Sequence, residues 1–136
     1  GMEVGRKADS LFFLHTWVKG RDWSPRRQTD EPPVVFQYVV HYADGESETV
    51  DVLYEKGAAH WIQEEPKGLR DAAIAWAAPF PDDETKQAVL YSLQWNNPRA
   101  DVTIKSVDLQ YHEDVGGRYG TPVLFGITAA EALETN

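Results

Sequence analysis

Apolar residues in this chain recur at every second position, and no convincing amphipathic helix interrupts them. A period of two places alternate side chains on opposite faces of an extended strand, whereas a helix needs a spacing of three to four. In residues 34–42, Val34, Phe36, Tyr38, Val40 and Tyr42 share one parity. In residues 87–95, Val89, Tyr91, Leu93 and Trp95 do the same, with Ala88, Leu90, Ser92 and Gln94 on the other side. Residues 10–18 (Ser-Leu-Phe-Phe-Leu-His-Thr-Trp-Val) are almost continuously apolar and too short for a typical helix. They read as a strand buried on both faces.

Parity also sets registers. Ala43-Asp44-Gly45 is a turn signal between residues 34–42 and a return strand at 46–54. A two-residue Asp44-Gly45 loop would put Val50 and Val52 on the face opposite Phe36 and Tyr38. A three-residue loop with Gly45 in the left-handed conformation brings all four to one face. The sequence therefore predicts a hairpin with a bulge at Gly45. Gln94-Trp95-Asn96-Asn97-Pro98-Arg99 runs from a strand into a polar turn. Beyond it Val102 and Ile104 lie on one parity, and Val107, Leu109 and Tyr111 on the other. A switch of parity within one strand predicts a bulge near Lys105-Ser106. Val123, Phe125 and Ile127 read as a last strand, residues 72–76 as a short one, and residues 129–133 as a helical turn.

Several strands joined by two long loops, residues 19–33 and 55–69, give an all-β chain. The class expected is an antiparallel β-sandwich of jelly-roll type. The 136 residues suffice for one such domain, expected over residues 4–130. Residues 1–3 read as a cloning remnant or a disordered N-terminus, and residues 131–136 as a frayed C-terminus.

The excess of 22 acidic over 13 basic side chains, a net charge of −9, repels phosphate backbones and anionic membrane surfaces. It does not penalise a neutral ligand such as a sugar. With no cysteine, disulfides, thiolate zinc sites and cysteine nucleophiles are excluded. No signal peptide and no long apolar span is evident.

The segments Ala8-Asp9-Ser10-Leu11-Phe12-Phe13-Leu14-His15-Thr16, Tyr38-Val39-Val40-His41-Tyr42-Ala43-Asp44-Gly45, Trp95-Asn96-Asn97-Pro98 and Thr121-Pro122-Val123-Leu124-Phe125-Gly126-Ile127-Thr128 carry a family likeness. Together they resemble galactose-binding-domain-like β-sandwiches, the accessory modules of bacterial glycoside hydrolases and related carbohydrate-active proteins. The resemblance covers residues 4–130. It implies a non-catalytic, carbohydrate-binding module from a larger secreted protein, extracellular or periplasmic. Its partner would be a glycan or a neighbouring catalytic domain. Many such modules hold a structural calcium, but no ligand or calcium motif of the family transfers residue by residue to these loops.

The residues themselves supply candidates. Sugar rings stack their C–H faces on aromatic side chains, and flanking polar groups bond the hydroxyls. Trp23 stands in the first long loop beside Arg26 and Arg27, and His60-Trp61 stands in the second. These five are the expected ligand-binding residues. The competing reading is that each indole folds back over a sandwich edge. Trp17, Trp76 and Trp95 fall on strand patterns and are expected in the core. His15 reads as a hydrogen-bonded core histidine, and His41 as a partner for Glu48 across the hairpin. Asn96-Asn97-Pro98 reads as a turn. Asp82-Asp83-Glu84 reads as a solvated acidic turn without calcium-loop spacing, and no spacing rule joins Asp9 to Asp108 as calcium ligands.

Catalytic motifs are missing: no Gly-x-Ser-x-Gly, no phosphate-cradling glycine loop, no His-Glu-x-x-His. Pairs of carboxylates are inevitable by chance among 22 acids and do not distinguish a glycosidase. Two alternatives to sugar binding follow. One is a structural module docked on a catalytic domain. The other, less favoured, is a small sugar-acting enzyme.

Overall fold

The computed structural model describes residues 1–20, 32–111 and 120–131. Nine strands appear among them and no helix. They are β1 (Met2–Arg6), β2 (Ser10–Lys19), β3 (Val34–Tyr42), β4 (Ser47–Leu53), β5 (Ile62–Gln63), β6 (Ala72–Phe80), β7 (Asp83–Asn96), β8 (Ile104–Gln110) and β9 (Gly120–Ala130). One sheet has the order β1-β8-β3-β4; the other runs β5-β7-β2-β9, with β6 on the remaining edge of β7. All strand pairs are antiparallel. β1 begins at Met2, within the stretch expected to be a terminal tail.

The two sheets face each other across one core, as the alternation predicts. From β2 come Leu11, Phe13, His15 and Trp17; from β3 Phe36, Tyr38, Val40 and Tyr42; from β4 Val50 and Val52; from β7 Val89, Tyr91 and Leu93. The sheets meet ring to ring. Phe13 stacks on Tyr38 with centroids 3.9 Å apart and planes 14° from parallel. Fully burying a side chain of that size contributes about 1.5–3 kcal/mol, so this stripe holds the sandwich together.

Two registers inferred from parity are present. Tyr38 pairs with Val50 and Phe36 with Val52, and Gly45 has φ +93° at the end of the three-residue loop. In β8, Ser106 pairs with His41 but Ile104 with Tyr42, so Lys105 is the bulged residue. Ile104 and Val107 consequently both reach the core. Asn97 is buried as the hub of its turn. Its Oδ1 accepts from Tyr42 Oη at 2.6 Å and from the Arg99 amide at 2.9 Å, and its Nδ2 donates to Ala8 O at 2.8 Å. Arg99 lies 4.5 Å over the Tyr42 ring and ion-pairs with Asp44, tying this turn to the β3–β4 loop.

Other expectations are corrected. β2 is fully buried along its inner face, while on the outer face Thr16 is buried and Phe12, Leu14 and Val18 are only half-buried. Trp76 is not a core residue. Ile74 pairs with Tyr91 and Trp76 with Leu90, so Ala75 is an extra residue that turns the indole to the outer face, 51% exposed. β9 has the same device. Leu14 pairs with Gly126 and His15 with Leu124, which leaves Phe125 bulged and 57% exposed, while Leu124 and Ile127 pack on the core. β6 continues to Phe80 and β7 starts at Asp83, so Asp83 and Glu84 of the expected acidic turn already belong to a strand. Ala129 and Ala130 continue β9 where a helical turn was expected; the rest of that segment lies outside the described residues. His41 bonds Asp108 at 2.7 Å rather than Glu48, because the register sets Glu48 opposite Val40 and on the other face.

Candidate functional site

One end of the sandwich is built by a parting of strands. β2 pairs with β7 only as far as His15 and Tyr91. Beyond that the strands diverge, and residues 60–63 fill the gap. The Trp61 amide donates to Trp17 O at 3.0 Å, and the Val89 amide donates to Trp61 O at 2.8 Å. β5 then pairs Ile62 with Ala88. The 55–69 stretch is therefore not wholly loop: it carries a wedge that completes the backbone hydrogen bonding of two separating strands.

That wedge determines where the expected site residues stand. His60 Nδ1 accepts from the Lys19 amide at 2.9 Å. Partial burial, and then the Lys19 ammonium, hold its imidazole below the ordinary histidine value, in keeping with a neutral ring that accepts at Nδ1. Trp61 is half-buried and packs edge-to-face on Phe80, centroids 5.7 Å apart. The two residues are adjacent, as the sequence requires, and flank the cleft described next without lining it. Trp23, Arg26 and Arg27 lie outside the described residues.

The two long loops meet at this end. The Tyr54 amide donates to Pro33 O at 3.0 Å, and Lys19 meets His60. Between them opens a cleft of about 540 Å³, lined by Pro32 of the first loop, by Glu55, Lys56, Ala59, Gln63 and residues 67–69 of the second, and by the flanking Tyr54 and Arg70. The volume is that of an ordinary small-molecule site. Its floor is anchored to the core. Gln63 Nε2 donates to His60 O at 2.9 Å and to Tyr91 Oη at 2.6 Å, which occupies both amide protons and leaves Oε1 to accept from a ligand. Burial raises the Tyr91 phenol above its ordinary value, so it stays protonated. The tight turn carrying Glu55 and Lys56 is closed by the Glu55 amide on Ala58 O at 2.8 Å and the Lys56 amide on Leu53 O at 3.1 Å. Glu55 has φ +57°, a left-handed conformation that costs a non-glycine residue about 1–2 kcal/mol.

Among the described residues, this surface offers donors, acceptors and one ring. Tyr54 supplies the ring, held edge-on to Trp17 at 5.7 Å. Lys56, Lys67 and Arg70 are cationic and Glu55 anionic, and Arg70 is held by its neighbour Asp71 through bonds of 2.9 and 2.8 Å. Among the described residues no group of three or more His, Asp or Glu side chains could hold a metal ion. Asp108 is engaged by His41 and the N-terminal amine, and Asp83 bonds Thr85. No helix among them is long and apolar enough to cross a membrane. Residue reasoning missed Tyr54, Lys56, Gln63, Lys67 and Arg70. The signal for them was present as cations and amides in the second long loop, but the larger Trp61 ring outweighed it.

A second surface is apolar. On the outer face of the β6-β7-β2-β9 sheet, Trp76, Leu90, Leu14, Val123 and Phe125 stand in neighbouring positions, with Trp76, Val123 and Phe125 exposed. Compared with known proteins, the chain matches no family model, no curated protein and no solved structure.

Proposed function

We propose that this chain is a non-catalytic carbohydrate-binding module of galactose-binding-like type, working as an extracellular or periplasmic accessory domain of a larger bacterial carbohydrate-active protein. The observation that carries the reading is the convergence of both long loops on one cleft that combines a tyrosine ring with hydrogen-bonding groups. A glycan binds there by ring stacking and by hydroxyl bonds to Gln63 and the lysines, with no covalent step. The sequence adds Trp23, Arg26 and Arg27, which precede Pro32 in the chain. On a glycan array the domain binds at least one saccharide class. Trp23→Ala and Lys67→Ala each weaken that binding while keeping the wild-type melting temperature. An array without a positive, or affinity untouched by both substitutions, overturns the reading.

A second reading is favoured by the apolar outer face. Large apolar groups exposed together on one sheet face mark a surface that another protein covers, and a neighbouring domain of the same protein would dock on β6 and β9. In the full parent protein, amide exchange along β6 and β9 is then slower than in the isolated domain. Equal exchange rates refute docking.

A further inference from the structure

We infer that the cleft takes an anionic saccharide, one carrying carboxylate or sulfate groups, held by the ammonium groups of Lys56 and Lys67. The inference rests on the carbohydrate-binding reading and narrows its ligand class.

The chain as a whole carries −9, with 22 acidic side chains against 13 basic ones. Elsewhere on this surface Arg6 pairs with Glu131, Lys86 with Asp83 and Arg99 with Asp44, while Lys7, Lys19 and Lys105 form no ion pair among the described residues. The cleft reverses this balance. Among the described residues, Lys56, Lys67 and Arg70 line it against the single carboxylate of Glu55. Arg70 is compensated by Asp71, but neither Lys56 nor Lys67 forms a salt bridge among the described residues.

Lys56 is half-buried, and it follows a residue in the left-handed conformation. An ammonium without a carboxylate partner is placed to pair with a bound anion. The remaining groups suit a sugar rather than a bare ion. Gln63 Oε1 accepts from a hydroxyl. A volume of about 540 Å³ holds much more than an inorganic anion.

The test is calorimetric titration of the whole chain with oligogalacturonate, oligoglucuronate and oligomannuronate, each beside its methyl ester, and with sulfated and unsulfated galactan. Esterification removes the charge and keeps the sugar. At least one acidic oligomer is expected to bind ten-fold or more tightly than its neutral counterpart. The Lys56→Gln/Lys67→Gln double variant, with unchanged melting temperature, should weaken that binding about ten-fold per lysine. The uronate and galactan arms separate carboxylate from sulfate recognition. Neutral saccharides bound as tightly as acidic ones, or affinity unchanged in the double variant, would overturn the anionic class while leaving carbohydrate binding in place. Binding to no saccharide, acidic or neutral, overturns both.

Discussion

Lowering the pH should destabilise this protein through one residue, His15. Its side chain is fully buried between the sheets. Nε2 lies 2.8 Å from Gly57 O and Nδ1 lies 2.7 Å from Tyr38 Oη. A carbonyl oxygen can only accept, so Nε2 carries the proton and Nδ1 accepts from the tyrosine. Tyr38 can donate because burial raises its phenol far above the ordinary value. A protonated imidazole would have to donate at both nitrogens in a site without a counter-charge. Burial accordingly lowers the His15 pKa from 6.5 to about 4, the Gly57 bond opposing only part of the effect.

In the unfolded chain the imidazole protonates near its ordinary value. Between the two values the unfolded state therefore binds the additional proton. His15 contributes its full stability above pH 6.5, loses it as the pH falls toward 4, and changes nothing further below that. The gap corresponds to about 3 kcal/mol, a large share of the 5–15 kcal/mol that holds a typical domain folded. Urea denaturation from pH 7 to 3.5, on the wild type and on His15→Gln, isolates this quantity. The glutamine does not titrate, and subtraction removes the carboxylates common to both. The wild type should lose about 3 kcal/mol relative to the variant across that range. Parallel stability curves for the two proteins would refute the assignment of a neutral, desolvated imidazole.

Three further outcomes follow from packing and hydrogen bonding. Gly120→Ala should cost about 1–3 kcal/mol in urea denaturation, because a Cβ there would overlap the buried indole of Trp17, which has no room to move; a neutral substitution would show that β9 can shift. Asn97→Ala should cost about 2–4 kcal/mol, since three bonds are lost and Tyr42 Oη and Ala8 O are left buried; a loss below 1 kcal/mol would remove Asn97 from its place as the hub of the turn. Thr16→Val should raise stability by about 1 kcal/mol, because the Thr16 hydroxyl is buried without a hydrogen-bond partner among the described residues; a lower melting temperature would contradict this.

The sequence by itself determined the sheets and, where apolar residues stand on both sides of an irregularity, their registers. Phe36 and Tyr38 against Val50 and Val52 required a three-residue turn at Gly45. Ile104 against Val107 required a bulge between them. Both are legible because a strand has a period of two and a large apolar side chain declares its face. The same device is silent in β6, where alanine fits either face, so nothing marks Ala75 as the residue that expels Trp76 from the core. It is silent in β9 too, where Val123, Leu124 and Phe125 are apolar on both parities.

The candidate site was legible only as composition. Two long loops with rings and charges were visible, and so was His15 as a core residue. That the loops share one end of the sandwich, that residues 60–63 wedge between β2 and β7, and that Lys56 and Lys67 meet Gln63 around one cleft were decided by the tertiary structure. The physical reason is range. Parity and turn chemistry act between neighbours along the chain, whereas a cleft joins residues whose proximity arises only when the sheets pack and the strands diverge.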